Sequence, residues 1–115
     1  MPKTGSQLIA ECLDRNQVGK VFCVPGESYL GALDALFDKK KSIKVINARH
    51  AAGAANMAES YGKLTGEPGV ALVTRGPGAC HASVGVHIAH QDSTPMILIV
   101  AVSYTHLTLP TKRIV

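Results

Sequence analysis

"IKVINARHAAGAANMAESYGKLTGEPGVALVTRGPG", residues 43–78, decides the architecture of this chain. It opens on a short apolar run, "IKVINA", and passes into a long stretch of small and helix-forming residues, "AAGAANMAESYGKLTG". It then returns to an apolar run, "GVALVTR", before the glycines at 76 and 78. The two apolar runs are short and rich in β-branched residues, which favours strands. The segment between them is long enough for four helical turns, and Gly66 offers a left-handed stop. Strand, helix and strand joined by short connections make a βαβ unit with parallel strands.

The same alternation extends in both directions. "TGSQLIAECLDRNQVG", residues 4–19, predicts a helix capped by Thr4 or Ser6 and stopped at Gly19. Leu8, Ile9, Cys12 and Leu13 lie on it at helical spacing. "KVFCV" predicts a strand broken by Pro25-Gly26, and "SYLGALDALFD" a helix with Leu30, Leu33, Leu36 and Phe37 on one face. "GPGACHASVGVHIAHQ" predicts a fourth helix and "PMILIVA" a fourth strand. Continuous apolar strands alternating with helices predict a parallel sheet covered on both faces, a three-layer α/β/α domain.

Composition narrows the class. The chain has 115 residues, enough for one compact domain. It is 46% hydrophobic but only 4% aromatic, so Ala, Val, Leu and Ile must fill the core. The net charge of +4 owes two units to Lys112 and Arg113. Lys39-Lys40-Lys41 is the only basic run, and no aromatics interleave with it, which argues against a nucleic-acid partner. Three distant cysteines, a polar N-terminus and no apolar run long enough to span a bilayer predict a reduced, cytoplasmic protein without a membrane segment.

In parallel sheets, ligands bind beyond the carboxyl ends of the strands. Pro25-Gly26-Glu27-Ser28, Ala48-Arg49-His50-Ala51 and Arg75-Gly76-Pro77-Gly78 occupy those positions. Gly76-Pro77-Gly78 has neither dinucleotide-fingerprint nor phosphate-loop spacing, and alone it reads as a tight turn or a close ligand approach. His81, His87 and His90 do not form a metal set, because His81 points away from the other two on a helix. Cys80 has no partner thiol. These residues alone yield an open α/β domain with a polar crevice.

"VFCVPGESYLGALDAL", "INARH", "GAANMAESYGKLTG" and "GVALVTRGPGACHASVGVHIAHQDSTPMILIV" together resemble the N-terminal, pyrimidine-binding domain of thiamine-diphosphate enzymes, in the acetolactate synthase-like branch. The resemblance runs from about Thr4 to Val100. It implies a flavodoxin-like sheet of order 2-1-3-4-6-5, of which the four strands here form the 2-1-3-4 part. It implies thiamine diphosphate as cofactor and a 2-oxo acid as substrate, with decarboxylation and carboligation as the chemistry. Pro25 and Gly26 would approach the cofactor, Gly76, Pro77 and Gly78 would flank the pyrimidine, and Gln91 would lie near the substrate. Mg²⁺ and the diphosphate would be held by a C-terminal domain of the partner subunit in a homodimer or homotetramer. Some relatives also bind FAD.

Two departures stand out. Where the family carries Arg-His-Glu, with a glutamate that hydrogen-bonds a pyrimidine nitrogen, this chain has Ala51, whose methyl group can neither give nor take a proton. Glyoxylate carboligase also carries an apolar residue there, and a glutamate-to-alanine codon change is the other reading, so no catalytic residue is assigned. From Val102, "VSYTHLTLPT" departs from the family and matches the translation of a sequencing-library transposase adapter. Residues 1–101 are thus expected to be a partial cofactor-binding domain, inactive alone, and residues 102–115 a non-native tail. A stand-alone α/β binding module without catalysis is the alternative of another class.

Overall fold

The computed structural model describes residues 2–101, so the expected tail at 102–115 lies outside the described residues. Helix α1 (Gly5–Arg15) leads to β1 (Lys20–Cys23), and a 3₁₀ turn at Glu27–Tyr29 leads to α2 (Leu30–Asp38). Strand β2 (Lys44–Asn47), α3 (Ala51–Thr65), β3 (Gly69–Thr74), α4 (Arg75–Asp92) and β4 (Met96–Ala101) follow. All strand pairs are parallel and the sheet order is β2-β1-β3-β4, the order the resemblance implied.

Alternation along each strand sends neighbouring residues to opposite faces. Val21, Cys23, Val70 and Leu72 pack beneath α1 and α2, with Leu13, Ala32, Ala35 and Leu36. Phe22, Ala71 and Val73 pack beneath α3 and α4, with Ala54, Ala58, Ala55 and Ala82. The central strands are therefore buried on both faces, as a covered parallel sheet requires. The outer strands are not: Ile97 and Val100 of β4 are 44% and 39% exposed.

The small residues of α3 permit close approach on two sides. A Cβ at Gly85 of α4 would lie 2.6 Å from the Ala55 Cβ, and one at Gly62 would lie 2.3 Å from the Pro95 carbonyl oxygen. Below the helix, a Cβ at Gly69 would come within 1.8 Å of the Ala58 carbonyl oxygen. Larger residues would push α3 off both the sheet and α4.

Helix ends follow local rules. Thr4 caps α1 through a reciprocal capping box with Gln7, and Gly66 ends α3 at φ 76°. Of the expected apolar faces of α1 and α2, Leu13, Leu33 and Leu36 do pack inward, but the other positions need correction. Leu8, Ile9 and Cys12 are exposed, and Leu30 and Phe37 are each 61% exposed. Ala10, Ala32 and Ala35 sit beneath the helix axes instead, because small residues there let both helices lie close to the sheet.

Candidate functional site

The chain leaves β1 toward β2 on one side and returns past β1 to place β3 on the other. The connections therefore diverge between β1 and β3, which is where a ligand crevice opens in such sheets. The loop after β1 and the first residues after β3 meet there. Tyr29 anchors the loop by donating its hydroxyl to the Val24 carbonyl, and that hydroxyl also reaches the Leu72 carbonyl oxygen at 3.4 Å. Burial, before the neighbouring Cys23 thiol, pushes the phenol pKa up to about 12. Burial likewise raises the Cys23 thiol.

Four polar side chains join the two loops. The Ser28 and Thr74 hydroxyl oxygens lie 2.5 Å apart, and Arg75 Nε donates to Ser28 Oγ at 3.1 Å. Arg75 Nη2 pairs with Glu27 Oε1 at 2.5 Å. Arg75 was expected to end β3, but the strand stops at Thr74 and Arg75 takes φ 55°. The left-handed conformation costs about 1–2 kcal/mol for a residue with a Cβ. The Glu27 and Arg75 side chains are 76% and 42% exposed, so their ion pair returns only about 0–1 kcal/mol. The ion pair alone does not offset the strain.

The glycines play unequal parts. A Cβ at Gly26 would meet Thr74 at 3.3 Å and one at Gly78 would meet Val73 at 3.2 Å, so both serve close packing. Nothing lies within 4 Å of a Cβ built at Gly76, whose backbone faces open space. Pro25 and Pro77 are exposed beside them.

His50 and Ala51 form the entrance to α3. His50 is the N-cap, its Nδ1 accepting the Ala52 N–H at 3.1 Å. Histidine lies outside the usual capping set, so the pattern of residue types did not reveal this role. His81 comes over from α4 to lie against His50, with ring centroids 4.4 Å apart and the rings tilted by 40°. Ala51 is 7% exposed and packs with Ala55, Val73 and Ala82.

Two residues lie far from this group. Glu59, the first acid after Ala51, stands about 12 Å further along α3. It accepts from Thr94 Oγ1 at 3.0 Å and pairs with Lys63 Nζ at 3.1 Å. Lys63 also pairs with Asp92 at 2.7 Å, and Asp92 foremost, then Glu59, raises the ammonium pKa. Glu59 ties α3 to the α4–β4 connection and cannot reach the entrance. Gln91 is the other. It is exposed at the carboxyl end of α4, about 22 Å along the helix from Gly76, and does not join the residues at the crevice. Helix α4 runs antiparallel to the strands and carries its last turn to the opposite end of the sheet.

Cavities of about 440 and 330 Å³ occur elsewhere. The first lies between α1 and α2, and the second adjoins Gly19, Pro68 and Ile97 at the amino ends of the strands. No group of three His, Cys, Asp or Glu able to hold a metal ion occurs among the described residues. No helix among them is long and apolar enough to cross a membrane.

The sequence model of the thiamine pyrophosphate enzymes' N-terminal TPP binding domain matches residues 3–112. The chain belongs to this family. It is 43% identical over 93 residues to the acetolactate synthase of Bacillus subtilis (strain 168), covering 81% of this chain and 16% of that protein. Identity to the acetolactate synthase large subunit of Lactococcus lactis is 40% over 97 residues, 84% of this chain and 17% of that protein. The mitochondrial acetolactate synthase catalytic subunit of Saccharomyces cerevisiae is 38% identical over 95 residues, 83% of this chain and 14% of that protein. The chain thus spans about a sixth of the length of these curated relatives. At the β1/β3 crevice the chain presents an open Gly76 backbone and a Gly26 packed close against Thr74. It presents neither a carboxylate at the α3 entrance nor, among the described residues, a metal-binding set for a diphosphate.

Proposed function

We propose that this domain binds the pyrimidine half of thiamine diphosphate within an acetolactate synthase-like enzyme that decarboxylates a 2-oxo acid and joins the remainder to a second carbonyl. The observation that carries the reading is the β1/β3 crevice, with Pro25-Gly26 on one lip and Gly76-Pro77-Gly78 on the other. Thiamine diphosphate, when bound, supplies the carbanion-stabilising chemistry. Pro25 and Gly26 would limit the ring on one side, and the Gly76 backbone would receive it on the other. A partner subunit would close the crevice and bring the Mg²⁺ and diphosphate ligands, making the working unit a homodimer or larger.

Ala51 favours a second reading of the parent, as a glyoxylate carboligase-like enzyme. It packs its methyl group against Val73, Ala55 and Ala82, and no carboxylate among the described residues takes its place at the entrance.

The test is a titration of isotope-labelled chain with thiamine, followed by amide NMR. Shifts at Gly26, Ala52, Gly76 and Gly78, weaker for the analogue in which the pyrimidine amino group is an oxo group, are expected. Shifts confined to the α1–α2 cavity would refute the reading. The two parents separate in the full-length enzyme, by deuterium exchange at the thiazolium carbon. Ala51→Glu raises exchange and turnover by about 10²–10⁴-fold if the usual proton relay operates. In a carboligase-like parent, exchange stays unchanged and turnover falls, since the apolar surroundings disfavour a buried carboxylate.

A further inference from the structure

We propose that Arg75 is the receptor for the carboxylate of the 2-oxo acid, held ready by Ser28 and occupied by Glu27 until substrate arrives. The inference deepens the proposed function and rests on it for the identity of the acid.

Three observations lead to it. The guanidinium spans the crevice between β1 and β3, the place where this topology accommodates a ligand. Its backbone holds the left-handed φ of 55° in a residue that is neither Gly nor Asn, and the ion pair alone does not offset that strain. Its two partners differ in kind. Ser28 is half-buried, is itself bonded to Thr74, and fixes Nε by a bond of 3.1 Å. Glu27 is 76% exposed and holds only Nη2. The first contact orients the fork and the second can be exchanged. A guanidinium presents its N–H groups in a plane that matches a carboxylate, so a substrate carboxylate can replace that of Glu27 without disturbing Ser28.

Charge selects the class of ligand. Arg75 and Glu27 together are neutral, so a monoanion that takes the place of Glu27 on the guanidinium leaves one net negative charge, carried by a Glu27 side chain that is 76% exposed and screened by solvent. A diphosphate would bring several negative charges beside Glu27 with a single cation to receive them, and like charges at such range repel. The site therefore suits a monoanion.

The experiment uses the 115-residue chain and follows the Arg75 Nε–H resonance by NMR. Pyruvate is the probe, pyruvamide its neutral counterpart, and inorganic pyrophosphate the polyanion. Pyruvate should shift the resonance saturably and pyruvamide should not. Arg75→Gln should weaken pyruvate binding, read from neighbouring amides, about tenfold, the loss of one charge-assisted hydrogen bond. Glu27→Gln should strengthen pyruvate binding, because the competing carboxylate is gone. A purely structural ion pair would give no such gain, and that result overturns the proposal. Equal shifts with pyruvamide, or tighter binding of pyrophosphate than of pyruvate, would overturn it too. Thiamine binding is measured on the same variants and should survive Arg75→Gln. If wild-type chain binds pyruvate at Arg75 but not thiamine, the cofactor reading fails while the carboxylate site stands.

Discussion

Replacing Gly85 by alanine pits two opposing effects against each other at one site. Alanine in a helix interior is favoured over glycine by about 1 kcal/mol, so propensity alone predicts stabilisation. Space predicts the opposite. The new Cβ would stand 2.6 Å from the Ala55 Cβ, 2.8 Å from its carbonyl carbon and 3.0 Å from its carbonyl oxygen. Carbon atoms prefer about 3.5–4.0 Å, so α3 and α4 must part by roughly 1 Å. None of the opposing atoms belongs to a flexible side chain, and Ala55 is wholly buried. Overpacking of this kind costs about 1–3 kcal/mol, and the loosened contacts of Ala51, Val73 and Ala82 add to it. Space wins, for a net loss of about 1–2 kcal/mol. Gly53→Ala is the matched control. It is the same substitution in the facing helix, where the nearest atom to the new Cβ is the Ala48 Cβ at an ordinary 3.8 Å. That variant should gain up to about 1 kcal/mol. In thermal unfolding followed by circular dichroism, Gly85→Ala should lower Tm by about 4–16 °C while Gly53→Ala raises it by a few degrees. Equal stabilisation by both would refute the close approach of α3 and α4.

Glu59→Ala removes the acceptor of the Thr94 hydroxyl from a buried position and should cost about 1–3 kcal/mol in urea unfolding. Glu59→Gln keeps an acceptor and should cost less; equal losses would show that Thr94 does not depend on that oxygen. In a tyrosinate absorbance titration, the Tyr29 phenol should ionise near pH 12 in the folded chain, and Tyr29→Phe should remove that step. Because the folded pKa is raised above its ordinary 10.0, the contribution to stability is complete below about pH 10 and is lost as the pH rises toward 12. An ordinary titration at pH 10 would contradict the burial of that hydroxyl.

The elements and their order were legible because their causes are local. Thr4 and Gln7 lie three residues apart and cap a helix by themselves, and Gly66 stops one by its own backbone freedom. Alternating strands and helices imply a parallel sheet, and the four quoted motifs marked the family through residue types in order. The place of Ala51 in a motif is what raises the expectation of an acid there. The alternation alone could not number the strands in space; their order came from the resemblance, since pairing joins residues distant in the chain.

Other features depended on where distant segments come to rest. Helical spacing predicts the apolar faces of α1 and α2, and Leu13 and Leu36 are buried accordingly. Yet Ala10, Ala32 and Ala35 share the positions against the sheet, while Leu8, Ile9, Leu30 and Phe37 are exposed. Periodicity reports which residues share a face but not how near that face lies to its neighbour. Gln91 lies in the matched region, but the length of α4 carries it to the other end of the sheet. His81 reaches His50 only because Gly85 and Ala55 bring α4 against α3. The union of Glu27, Ser28, Thr74 and Arg75 joins segments separated by more than forty residues, through a left-handed backbone at Arg75 that no residue type announced. Local energies set the helices, strands and stops of this chain, whereas its crevice is made by contacts that exist only once the sheet has assembled.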